Sequence, residues 1–406
     1  MRRLLFLLAG LAVISLIAMG PGSGGLQPAN GAAMAGKTIK IGVDLPMSGG
    51  EAPNGEPTNN AVLLAIDEAN KAGGYKGMMF EEVLKDDAVN GVHDPAQGAK
   101  NVQELLADSA VVGIMGNFNS NVGKATIPIT NAAGVVQISP SQTNPGLTKP
   151  EFGALDVRKA HPTQINYFRV CPTDDLQGPV AADYAFKKLK LKKVAILDDQ
   201  ETYGKGIADE FAREFGKLGG TVVSRDGIPK GTQDFHAILT AIKAKAPDLL
   251  FFGGVTTTGG GLIRKQMKDV GLTIPYEGGD GIVEDEFLKV AGDDANGSYG
   301  TVAAENAEKL PTAKGFLAAY KAKYKSDPGA YSANGYVAAK IIIDAVKAVG
   351  PDRAKVRAWV ANLKNYKSII GTFSFDKNGD TTNKIVSVYT VKNGKWEWLD
   401  QINFTL

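Results

Sequence analysis

The sequence is poor in the residues that carry covalent and metal chemistry. One cysteine, Cys171, and three histidines, His93, His161 and His236, stand among 406 residues. A lone cysteine excludes any disulfide within the chain, and the histidines show no metal-ligand spacing. Cys171 follows an apolar, strand-like run and suits a small core residue better than a nucleophile. There is no Gly-x-Ser-x-Gly elbow, no phosphate-loop lysine motif and no glycine-rich dinucleotide fingerprint after the first strand. The run Asp376-Lys377-Asn378-Gly379-Asp380 begins like a calcium loop, but Ser387 stands where the closing glutamate is required, so it reads as a turn. No catalytic constellation, cofactor or metal is expected. An excess of charge is missing too. Lys and Arg number 45 against 43 Asp and Glu, a net charge of +2, which gives no case for nucleic acid or an anionic membrane surface.

Long apolar runs are confined to the N-terminus. Arg2 and Arg3 precede the run Leu4–Met19, shorter than the roughly 20 residues a spanning helix needs. Ala33-Met34-Ala35 fits a signal peptidase site, so residues 1–35 are expected to be a cleaved secretory signal. No cysteine lies near that site to accept a lipid, so a soluble, exported chain that is not a lipoprotein is expected. The remainder, 44% hydrophobic over the whole sequence, is long enough for two domains that need no disulfide to build a core.

Strand-like and helix-like segments alternate along most of the chain. "IKIGVDL" (39–45) is followed by the helical "TNNAVLLAIDEANKAGG", with Thr58 as the expected N-cap, then by the strand-like "MMFEEVLKDD", "VVGIMG" and "VVQIS" with helices between them. The pattern restarts after about residue 165 with "KKVAILDD", "TVVSRDGI", "PDLLFFGG" and "IPYEGG". Such alternation implies two α/β units, each a parallel sheet covered by helices on both faces. Residues 312–363 read as mainly helical. Residues 371–406 read as strands, with "DKNGD" and "KNG" as turns.

In open parallel sheets ligands bind beyond the carboxyl ends of the strands. The segments found there are "PMSGGEAPNGEP", "NFNSNVG", "PSQTNPG", "QETYGKG", "VTTTGGG" and "DG". They are rich in Gly, Ser, Thr and Asn, with Tyr203 and Asp280 added. Small residues leave room for a ligand and expose backbone N–H groups at helix starts, which favour anions.

At this point the chain resembles a known family. The segments "KDDAVNGVHDPAQGAKNVQELL", "GNFNSNVGKATIPITNAAGVVQISPSQTNPGLT", "DDLQGPVAADYA", "VAILDDQETYGKG", "GTQDF", "DLLFFGG" and "GTFSFDKNGD" are, in order and spacing, similar to type I periplasmic solute-binding proteins of ABC importers, in the leucine/isoleucine/valine-binding branch. The resemblance runs from about residue 38 to the C-terminus. It implies two doubly wound parallel-sheet lobes joined by three crossovers, closing on a ligand as a hinged trap and delivering it to a membrane permease. Carried over, lobe one is expected at 36–173 plus 302–370 and lobe two at 174–301 plus 371–406. A monomer binding a small molecule, an amino acid, is implied.

The resemblance also implies roles for residues. Ser120 and Ser141, with Thr143, would grip the ligand's α-carboxylate and α-ammonium from lobe one. Asp280 of lobe two would pair with the ammonium after closure, and Tyr203 would close over the ligand. Each has a plainer reading: Ser120 as a helix cap, Thr143 as a turn residue, Asp280 as a solvated turn acid, Tyr203 as packing at a helix start. Asn54 and Val255 stand where aliphatic binders of the family carry aromatics, so the side-chain half of the pocket is expected to be more polar. Amides, urea or an aromatic carboxylate are the alternative solutes, and a sensor module of the same fold is the alternative role. Asp280→Ala is expected to weaken binding with little effect on stability.

Overall fold

The β-branched segment Ile39–Leu45 forms an inner strand of a five-stranded, all-parallel sheet, paired to Phe80–Asp86 on one side and Val111–Gly116 on the other. Val136–Ser139 and Tyr167–Arg169 complete that sheet. This computed structural model describes residues 38–403, so the expected signal segment lies outside the described residues. Val111–Gly116 is buried along its whole length, which is why its sequence is a continuous apolar run instead of an alternating one.

Helix Ala52–Lys71 follows the first strand, six residues ahead of the expected N-cap at Thr58. "PNGEP" looks like a loop, but Pro53 sits in the first turn, where a missing N–H costs nothing. Gly55 lets that turn press on the chain before it: a Cβ there would lie 1.9 Å from the Pro46 carbonyl oxygen. Thr58 is buried inside the helix and donates its hydroxyl to the Asn54 carbonyl. The earlier start carries Asn54 to the rim of the sheet.

A second sheet repeats the plan. Thr221–Gly227, Lys193–Asp198, Leu249–Gly253, Tyr276–Gly278 and Ser298–Val302 run parallel in that spatial order. Numbered along the chain within each set, both parallel sets follow the order 2-1-3-4-5, which places a crevice between the first and third strands. The second sheet is not wholly parallel. The hairpin Ile385–Lys392 and Lys395–Asn403, turning at Asn393 and Gly394 with positive φ, adds two antiparallel strands beside Ser298–Val302.

The chain passes between the sheets three times. After Arg169 it enters helix Asp174–Asp183, which packs on helix Thr202–Lys217 and on the second sheet. After Val302 it returns to helices Lys314–Tyr324 and Ser332–Val349, the latter packed on Ala52–Lys71. The last passage falls later than the expected boundary at 370. Gly371–Phe373 still pairs with Tyr366–Ser368, and Phe373 and Phe375 belong to the core of the first sheet. Their aromatic burial there holds the chain back until "DKNGD", whose Asp380 bonds to buried Arg169. Among the described residues no helix is long and apolar enough to cross a membrane.

Candidate functional site

The carboxyl ends of the two parallel sets face each other across a cleft of about 440 Å³, counting the part open to solvent. All seven residues singled out from the sequence line it: Asn54, Ser120, Ser141, Thr143, Tyr203, Val255 and Asp280. They arrive from six different strand-to-helix connections, because the shared strand order brings those connections to one place.

On the first sheet, Ser120 opens helix Ser120–Ala133 and does not cap it; the N-cap position is Asn119, with no side-chain cap bond. The first intrahelical bond runs from Gly123 N–H to the Asn119 carbonyl; of the N–H groups before it, Val122 N–H is taken by Asn121 Oδ1 at 2.9 Å, and those of Ser120 and Asn121 have no intrahelical partner. Ser120 Oγ accepts the Asn144 N–H at 3.3 Å and keeps its proton to donate. Ser141 donates its hydroxyl to the Phe118 carbonyl at 2.9 Å. The Thr143 hydroxyl is buried without a partner. Beneath this loop buried Arg169 donates to the Gln142 carbonyl at 2.8 Å and the Asn144 carbonyl at 2.7 Å, and its Nε to Asp380 at 2.6 Å. The polar run after "VVQIS" is therefore held from below by a guanidinium.

On the second sheet three donors converge on Asp280. Gln177 Nε2 at 2.7 Å and Tyr203 Oη at 2.9 Å reach Oδ1, and Tyr331 Oη reaches Oδ2 at 2.9 Å. A carboxylate has about four acceptor positions, so one remains, on Oδ2. Burial raises the Asp280 pKa, and the three donors oppose that rise. Tyr203 also accepts the Gly281 N–H at 3.2 Å, which fixes its ring against the cleft. Gln177 and Tyr331 were not foreseen. Tyr331 immediately precedes helix Ser332–Val349 with no strand before it to mark it, and Gln177 lies in helix Asp174–Asp183 after the strand Tyr167–Arg169, a strand end outside the loops considered from the sequence.

The cleft is shut by side chains that meet across it. His93 lies between Glu51 and Glu201, with Nδ1 2.7 Å from Glu51 and Nε2 2.6 Å from Glu201. Asn121 donates to Glu201 at 2.9 Å, Asn54 to Glu284 at 2.6 Å, and Thr257 to Glu51 at 2.6 Å. Asn144 donates to the Thr202 carbonyl at 2.7 Å, close above Gly206, where a Cβ would come within 2.4 Å of the amide nitrogen. His93 was also missed. It follows the second strand, Phe80–Asp86, so the rule applied to the other strand ends points to it as well. Burial and the Glu201 charge raise Asp199 to about 7. Burial, eased in part by hydrogen bonds, raises Glu284 to about 8.

Two α/β lobes whose parallel strands end over a shared polar cleft, with the chain crossing three times, define a two-lobed solute-binding protein. A family model described as periplasmic binding protein matches residues 38–395. A Leu/Ile/Val-binding protein homolog of Brucella melitensis is 31% identical over 359 residues, covering 88% of this chain and 92% of that one. The Leu/Ile/Val-binding protein BraC3 of Rhizobium johnstonii is 32% identical, with 90% and 94% covered. Among solved structures, the leucine-binding protein LivK of Thermotoga maritima superposes with a TM-score of 0.80 at 29% identity, covering 90% of this chain and 99% of that one. LivJ of Streptococcus pneumoniae, in complex with isoleucine, gives 0.78 at 30%, covering 90% and 100%. The chain belongs to the periplasmic binding protein family, among its Leu/Ile/Val-binding relatives.

Proposed function

We propose that this chain captures an amino acid between its two lobes outside the cytoplasm and hands it to the membrane permease of an ABC importer. On this reading it is exported by its N-terminal signal without a lipid anchor and works as a monomer. The observation that carries the proposal is the pairing of opposite ligand needs in one cleft. Hydroxyls and helix-start N–H groups around Ser120 and Thr143 suit a carboxylate, and the open acceptor position of Asp280 suits an ammonium.

A zwitterion is costly to bury unless both charges are met. A micromolar Kd corresponds to about 8 kcal/mol, within reach of four or five charge-assisted hydrogen bonds in a dry cleft. The bonds across the cleft exist only when it is shut, so they and the ligand would favour closure together. Calorimetric titration of residues 36–406 with the common amino acids tests the proposal. Saturable one-to-one binding that Asp280→Asn weakens is expected. A full panel without heat or thermal stabilisation would reject it.

A further inference from the structure

We infer that the solute carries an N–H donor at its far end, a carboxamide or a cationic nitrogen, and that Glu201 and Asp199 read it. The inference rests on the amino-acid-capture reading and names the side-chain class.

Apart from the Ser120–Thr143 loops and Asp280, the cleft lining includes a second group of side chains, Asn54, His93, Asn121, Asp199, Glu201 and Val255. Its donors are already committed to the protein. Both imidazole nitrogens of His93 face carboxylates, the Asn121 amide binds Glu201, and the Asn54 amide binds Glu284. Its acceptors are not. Glu201 Oε2 takes His93 and Asn121, but toward Oε1 the described residues offer only Lys230, 3.7 Å away and 62% exposed. Asp199 accepts the Glu201 N–H and the Thr258 hydroxyl; in its ionised form two of its four acceptor positions are open, and a ligand N–H placed there would favour that form over the protonated one that burial and Glu201 promote. Asn119, only 8% exposed, lines the same cleft with Oδ1 unpartnered. Of the wholly apolar side chains only Phe118 and Val255 line the cleft, enough to flank a stem but not to enclose a branched aliphatic group.

An aliphatic side chain seated there would strip water from two carboxylates and return nothing. A terminal N–H group would restore the lost bonds. Sites built around such bonds discriminate strongly, by about 10⁴-fold or more, against analogues lacking the group.

The test is a binding series on residues 36–406 with near-isosteres. Leucine, asparagine and aspartate share one shape, and norleucine, glutamine and lysine form a longer set. We expect asparagine, glutamine or lysine to bind at least 100-fold more tightly than its hydrocarbon counterpart, with the carboxamide and ammonium arms telling which nitrogen is used. Glu201→Gln should reduce that preference tenfold or more. Leucine or norleucine binding as tightly as its partner would overturn the inference and leave amino-acid capture standing. Loss of affinity in Glu201→Gln that is equal for all ligands would also overturn it, reducing Glu201 to a positioning residue. If no amino acid of either set or of the common panel binds, the capture reading itself fails.

Discussion

His93 Nε2 lies 2.6 Å from Glu201 Oε2, and that contact joins a hairpin on the first sheet's rim to the start of a helix on the second. Burial by itself would lower the imidazole pKa. The charges and hydrogen bonds of Glu51 and Glu201 overcome this and raise it well above the ordinary value. The carboxyl groups of Asp87 and Asp199 also interact electrostatically with the ring. Opening the cleft removes Glu201 and leaves Glu51. A pKa raised by closure means that the bridge contributes fully below the open-state pKa and is lost as pH climbs through the closed-state one. Ligand affinity is therefore expected to fall by about tenfold toward alkaline pH, the scale of one charged hydrogen bond. In His93→Gln that alkaline loss should vanish. Calorimetry across a pH series on both proteins checks this, and identical profiles would remove His93 from closure.

Asp280 binds Gln177, Tyr203 and Tyr331, so the expectation that Asp280→Ala spares stability does not fit the structure. Alanine would leave the Tyr203 and Tyr331 hydroxyls without their acceptor, at about 1–3 kcal/mol each before relaxation, while Gln177 would keep its bonds to Thr301. An asparagine side chain would keep most of that geometry while losing the charge. Asp280→Asn is expected to lower ligand affinity tenfold or more with a small change in denaturant midpoint, whereas Asp280→Ala lowers both. Paired binding and urea-unfolding measurements separate the two.

The Arg169–Asp380 pair is buried, with side-chain exposures of 0% and 8%. It ties the ligand-facing loop to the third crossover. Breaking a buried pair on one side leaves an unmatched charge, typically about 3–5 kcal/mol. Asp380→Ala is expected to destabilise by that amount. Affinity should fall too, because the guanidinium also holds the Gln142 and Asn144 carbonyls. Chemical denaturation with unchanged m-value checks the first effect.

Glu277, in the strand Tyr276–Gly278, is fully buried with neither carboxylate oxygen partnered. Burial alone raises its pKa well above the ordinary value. The unfolded chain ionises first, so stability falls as pH rises from the unfolded pKa toward the folded one. Glu277→Gln is expected to match wild type near pH 4 and to exceed it at pH 8. Melting curves at the two pH values give the comparison.

Much of this was legible beforehand. Periodicity gave the alternating elements, since continuous runs such as Val111–Gly116 have one stable use, a strand buried on both faces. The carboxyl-end rule then pointed to the loops that carry Ser120, Ser141, Thr143, Tyr203 and Asp280, because parallel connections converge by topology, and the family resemblance singled those residues out within them. The start of helix Ala52–Lys71 was hidden by Pro53 and Pro57, whose local signal is a loop.

Sequence alone determined the elements, the pairing of two similar halves and the polar character of the loops between them, because these follow from local patterns of burial and backbone preference. Only the tertiary structure decided what those polar groups bind. Tyr331 reaches Asp280 across 51 positions of chain, Glu201 meets His93 across 108, and Arg169 meets Asp380 across 211. Hydrogen-bond partners at such separations are chosen by how the two lobes pack, and no local pattern encodes them.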